Sequence, residues 1–138
     1  MMKHYVLDAC SLVALLQGET GAETVADIIN QANRNEIVVS MNKLNLLEVY
    51  YDAYRMIGKE QANTMLAEII KRPIIIIDSI SDEVFREAGR LKASYKISLA
   101  DSIALAQSVV LSASLVTSDH HEFDIIEEKE NISFIWIR

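Results

Sequence analysis

The sequence of 138 residues predicts a three-layer α/β/α fold, a central mostly parallel sheet of four to five strands with helices on both faces. Three observations predict it. The most apolar runs are short and continuous, as in Tyr5-Val6-Leu7 and the four isoleucines 74–77, and such runs suit strands buried on both faces. Helical segments with their own cap residues separate the runs, two of them before each of the second, third and fourth strands. Finally, the chain is 51% hydrophobic, has one proline, and shows no repeat, low-complexity tract or Gly/Ser linker. That composition fits one compact domain over residues 1–138, whose folding hides about two-thirds of the unfolded chain's surface.

The first strand, Tyr5 to Leu7, ends at Asp8, and Ser11 is placed to cap a helix from Leu12 to Gln17. Thr20-Gly-Ala-Glu23 reads as a capping box opening a helix through Asn33. Ile37 to Val39 is the second strand. A long helix then runs from Asn42 to Ile57 and stops at Gly58; another spans Lys59 to Lys71 and is closed by Pro73. Ile74 to Ile77 is the third strand. Ser79-Ile-Ser-Asp82 opens a helix through Tyr95, and Ser98-Leu-Ala-Asp101 opens the next through Ser112. Ser114 to Thr117 is the fourth strand, a short helix covers Glu122 to Glu127, and "SFIWI" supplies a fifth strand.

Composition narrows the function. The N-terminal segment has an apolar stretch, but Asp8 interrupts it and no small-residue cleavage site follows Leu16, so it reads as structure and not as a signal peptide. No apolar run approaches the ~18 residues of a membrane span. One cysteine, Cys10, excludes an internal disulfide and fits a reducing cytoplasm. The net charge of −7 lacks the basic footprint of a general nucleic-acid binder. An acidic protein still reaches nucleic acid when its carboxylates hold divalent cations that face the phosphate.

Four carboxylates fit that description. In a parallel α/β sheet, ligands bind outside the carboxyl ends of the strands. Asp8 and Asp119 each follow a strand at that edge; each could equally cap the next helix. Glu48 lies in "KLNLLEVYYDAY", where helical spacing places Leu44, Leu47 and Tyr51 on its side. A lone carboxylate among apolar neighbours is costly unless paired or metal-bound, although a solvent stripe with Asp52 and Arg55 is the alternative. Asp101 sits three residues after Ser98 and divides evenly between capping box and site. Two carboxylates about 4 Å apart repel by a few kcal/mol at an effective dielectric near 20, so four together need cations or protons. Hard oxygen donors without a thiolate and with few imidazoles suit Mg²⁺ or Mn²⁺. His120 and His121 are adjacent, lack zinc-ligand spacing, and read as solvent-facing loop residues with a secondary role at substrate phosphate as the alternative. Phe123 is expected to anchor that loop, with Asp124 either supporting a metal indirectly or solvated.

With these residues placed, the chain resembles the PIN-domain family, in particular the toxin subunits of VapBC-type toxin–antitoxin pairs. The resemblance rests on "YVLDACSLVALLQGE", "LNLLEVYY", "ISLADSIALAQ" and "LVTSDHHEFD", in that order, and spans nearly the whole chain. It puts the family's acids on Asp8, Glu48, Asp101 and Asp119, its supporting hydroxyl on Thr117, a commonly polar position on Ser11, and a further acid on Glu122 or Asp124. It implies a PIN-like fold and a cytoplasmic Mg²⁺- or Mn²⁺-dependent endoribonuclease, with RNA as substrate and an antitoxin protein as partner. The apolar residues Tyr50, Tyr51, Tyr54, Met56 and Met65 on the two middle helices add the expectation of a homodimer and of an antitoxin peptide laid across them. Lys43, Arg55, Lys92 and Lys96 are candidate contacts to an RNA backbone, or plain solvated surface.

Other readings use the same residues. An RNA-maturation nuclease would share the site. A non-catalytic binding module would share only the fold. A phosphoacceptor receiver would place Asp78 after the third strand, but it needs a lysine after its last strand, where "FIWIR" stands, and single helices between strands.

Overall fold

The computed structural model describes residues 2–138. The elements are β1 (Lys3–Leu7), α1 (Ala9–Gln17), α2 (Ala22–Asn33), β2 (Ile37–Asn42), α3 (Lys43–Ile57), α4 (Lys59–Ile70), β3 (Ile75–Ile77), α5 (Asp82–Ser94), α6 (Leu99–Val110), β4 (Ser114–Thr117), α7 (His120–Lys129) and β5 (Phe134–Trp136). All strand pairs are parallel, and the sheet order is β3-β2-β1-β4-β5. The predicted three-layer architecture and the paired helices before β2, β3 and β4 are observed.

Alternation along the strands divides the core. Leu7, Val39, Met41 and Val116 point to one face, where they pack with Leu12, Val25, Leu46, Val49 and Ile69 from α1 to α4. Val6 and Leu115 point to the other, against Val84 and Leu91 of α5, Ile103 and Leu105 of α6, and Phe123 and Ile126 of α7. Every residue from Ser102 to Ser108 is buried, so α6 is an inner helix. Phe123 has no exposed surface and meets Phe134 with ring centroids 5.8 Å apart. Phe123→Ala is therefore expected to lower the unfolding free energy by about 3–5 kcal/mol, as read from urea denaturation.

Three local expectations are corrected. Ser11 does not cap α1; Asp8 does, accepting the Ser11 amide at 2.9 Å, while the Ser11 hydroxyl donates to the Asp8 backbone oxygen at 3.0 Å. The Thr20–Glu23 capping box does not form. Gly21 is the N-cap of α2 at φ +100, and a Cβ there would lie 2.6 Å from the Ile137 backbone oxygen, so tertiary approach to the segment after β5 decides the residue. The last helix begins at His120 and not at Glu122, with Asp119 as its N-cap, which changes the face on which each following side chain lies. Among the described residues no helix is long and apolar enough to cross a membrane.

Candidate metal centre at the carboxyl edge of the sheet

The chain leaves β1 to build β2 and β3 on one side, then returns to place β4 and β5 on the other. The strand order thus reverses between β1 and β4, and this is where an open α/β sheet forms its ligand crevice. Asp8 follows β1 there, and Asp119 lies two residues beyond β4. Both turn the chain into a helix, so each carboxylate caps with one oxygen: Asp8 Oδ1 for Ser11, and Asp119 Oδ1 for the Glu122 amide at 3.1 Å. Capping and site were competing readings for these two acids; the geometry gives them the cap and leaves a second oxygen on each.

Asp101 comes from the first turn of α6, whose N-cap is Ser98, its hydroxyl accepting the Asp101 amide at 3.0 Å. Oxygens of Asp101, Asp119 and Glu122 all lie within 4.8 Å of one another. Asp8 is close enough for its charge to act on both Asp101 and Glu48. Of the sequence-predicted acids, Asp8, Glu48, Asp101 and Asp119 therefore face one region, and Glu122 joins them. Asp124 does not: it is exposed on the next turn of α7 and accepts from His120 Nδ1 at 2.7 Å. Between the two alternatives after the last motif, Glu122 is the one in the cluster.

Electrostatics match this crowding. Burial, then the charges of Asp8 and Asp119, push the Asp101 carboxyl up to about 7. Asp8 is buried, which raises it; the Thr117 hydroxyl, the Ser11 amide and the Cys10 thiol act in the opposite direction. Glu48 is raised by burial and then by Asp8 and Asp52. Its apolar neighbours Leu47 and Tyr51 are themselves half exposed, so its acid neighbours and partial burial, not a core position, set its environment. Asp52 pairs with Arg55 in solvent at 2.9 Å. Among the described residues, no lysine or arginine forms an ion pair with Asp8, Glu48, Asp101, Asp119 or Glu122. A cluster of oxygens with no cationic side chain to balance it fits a hard divalent cation. Asp101, Asp119 and Glu122 could hold one, with Asp8 beside them.

Neighbouring polar groups hold the cluster in place. Thr117, fully buried at the end of β4, accepts the Asp119 amide through its hydroxyl at 3.1 Å. The Cys10 thiol donates to both Asp8 oxygens at 3.3 Å, and burial, with the Asp8 charge, pushes it up to about 11. Sequence reasoning missed the two asparagines of "MNKLNLLE". Asn42 caps α3 and also donates to Gln107 of α6 at 3.2 Å and to the Ser79 backbone oxygen at 3.3 Å. Asn45, fully buried one turn before Glu48, donates to the Ala100 backbone oxygen at 3.0 Å and so ties α3 to the turn that carries Asp101. Polar residues at i and i+3 on the inner face of an apolar helix were the available signal.

Comparisons with known proteins agree with this fold. The family model described as PIN domain matches residues 5–129. No curated protein matches the chain. Among solved structures, VapBC2 from Rickettsia felis bound to a promoter DNA fragment is similar at TM-score 0.75 and 18% identity, covering 96% of this chain and 97% of that one. DNA-bound VapBC from Salmonella typhimurium gives 0.76 at 14% identity, over 100% of both chains. Mycobacterium tuberculosis VapC20, a Sarcin-Ricin loop cleaving toxin, gives 0.59 at 14% identity, over 80% of this chain and 86% of that one. With the family model spanning β1 to α7 and the acids meeting at the sheet's switch point, the chain belongs to the PIN domain family.

Proposed function

We propose that the protein is a divalent-metal-dependent endoribonuclease, the toxin of a VapBC-type pair. The observation that carries this reading is the grouping of Asp101, Asp119 and Glu122 at the switch point, with Asp8 acting by charge on both Asp101 and Glu48 and, among the described residues, no lysine or arginine ion-paired to any of them. In this reading Asp8, Asp101, Asp119 and Glu122 hold Mg²⁺ or Mn²⁺. When bound, such a cation neutralises the scissile phosphate, lowers the pKa of water and stabilises the leaving oxygen. Glu48, whose carboxyl is raised by burial and by the charges of Asp8 and Asp52, orients the attacking water and takes its proton. Thr117 and Ser11 fix Asp119 and Asp8 through the amides that they accept and donate at the helix caps.

Two apolar surfaces support the partners. A groove of about 570 Å³ between α1, α3 and α4 is lined by Val13, Leu16, Val49, Met56, Ile57 and Met65 and suits an apolar antitoxin segment. The solved relatives that are VapBC complexes favour that partner. Exposed Phe85 and Leu99 flank a separate groove of about 630 Å³, where a second copy would bury them in a homodimer. An RNA substrate places the activity in the cytoplasm.

The test is cleavage of single-stranded RNA with Mn²⁺ or with chelator. Wild type should cut only with metal. Glu122→Gln should weaken Mn²⁺ binding by at least about tenfold, whereas Asp124→Asn should leave it within about twofold, as measured by calorimetric titration. Equal effects of the two substitutions would remove Glu122 from the centre, and cutting in chelator would remove the metal.

A further inference from the structure

We infer that the imidazole of His120 is a stacking platform for a nucleobase of the RNA, a binding subsite beside the carboxylates; this rests on the ribonuclease reading. The His120 ring lies on Trp136 with centroids 3.9 Å apart and planes 11° from parallel. Trp136 lies equally flat on Phe134, at 5.3 Å and 10°. The three rings thus share nearly one orientation. Their positions are fixed from outside the stack. His120 Nδ1 meets Asp124 at 2.7 Å, Nε2 meets the Arg138 backbone oxygen at 2.8 Å, and the indole nitrogen of Trp136 donates to Glu127 at 2.9 Å.

One ring face of His120 is covered and both nitrogens are engaged, yet 47% of the side chain remains exposed. The open surface is therefore the outer ring face, held rigid and flat. A rigid ring that ends a stack costs little further entropy when a base settles on it. His120 directly follows Asp119 in the chain, and its ring turns to Asp124, on the side of α7 away from Glu122. An RNA strand whose phosphate sits at Asp119 brings the base of an adjoining nucleotide within reach.

The local charge selects base over phosphate. Asp124 and Glu127 hold the edges of the stack, and Glu122 lies on the same helix turn. Asp124 balances a ring that donates from both nitrogens, and the remaining acids Glu127 and Glu122 favour a neutral, flat base over a phosphate. Trp136 covers one face of the ring, and the Arg138 backbone oxygen meets its Nε2 edge.

Trp136 is the single tryptophan of the chain, so its emission reports on the stack without ambiguity. Single-stranded RNA added to the Asp101→Asn protein, which binds without cutting, should quench that emission. The same RNA with abasic spacers should quench little and bind about tenfold more weakly. In the wild-type background with Mn²⁺, His120→Gln and His120→Ala should raise KM for RNA about tenfold, and His120→Phe, which keeps a flat ring but neither hydrogen bond, should restore it to within about threefold. Unchanged KM in His120→Gln, or equal binding of abasic and intact RNA by a protein that cuts RNA, overturns the subsite and leaves the nuclease reading standing. Failure of wild type to cut RNA with Mn²⁺ overturns both.

Discussion

Replacing Asp8 or Asp101 by asparagine will abolish metal-dependent RNA cleavage, with a loss of at least about 100-fold in kcat, and will raise the melting temperature of the metal-free protein. Both effects have one cause. Asp8 is 2% exposed and Asp101 is half-buried, and among the described residues neither has a cationic partner. Ionised, they resist desolvation and each other. Asparagine keeps the shape, and at position 8 it keeps an oxygen for the Ser11 amide, so the cap on α1 survives. Each kcal/mol of relieved repulsion raises the melting temperature by about 2–8 °C at this chain length. Calorimetry beside an RNA cleavage assay reads both outcomes. A loss of activity accompanied by a lower melting temperature would assign these residues to the fold instead of the chemistry.

The second large effect is a pH dependence that metal removes. The folded-state pKa of Asp101 is raised from 3.8 to about 7, and those of Asp8 and Glu48 are raised as well. The folded state therefore binds more protons than the unfolded chain across the interval between these values. Stability is fully present below the unfolded pKa and falls as pH rises from about 4 to about 7, and is lowest above it. His120, raised by the Arg138 backbone oxygen and Asp124, acts in the same direction. The expected observation is a melting temperature in chelator that drops across this interval. Saturating Mn²⁺ binds only the folded, deprotonated centre and should flatten or invert that slope. A flat profile in chelator would mean that the carboxylates are not crowded in solution.

Much of the architecture could be read directly. Each buried strand is a continuous apolar run, because both faces are covered, and the acids that follow β1 and β4 sit at the edge where parallel sheets bind ligands. What failed was local and depended on distant partners. Ser11 and Thr20 have the chemistry of caps, but Asp8 stands one position before α1, and Gly21 must make room for Ile137. The resemblance left the further acid on Glu122 or Asp124; the helix that begins at His120 sends Asp124 to the His120 ring and Glu122 to the carboxylates. The ring stack was not legible at all. It exists because β5 pairs with β4 in the register Thr117↔Trp136, which sets the indole beside the beginning of α7.

The strand order also governs when the carboxylate cluster can form during synthesis. The carboxylates stand at positions 8, 48, 101, 119 and 122, and β4 slots beside β1 only after every intervening helix has been made. A nascent chain on the ribosome carries its first acid almost from the beginning, yet it has no centre until residue 122 has emerged and the sheet has closed around β1. The cluster is therefore completed in one step at the end of synthesis, and under the proposed reading a silencing partner has the whole elongation time to be in place.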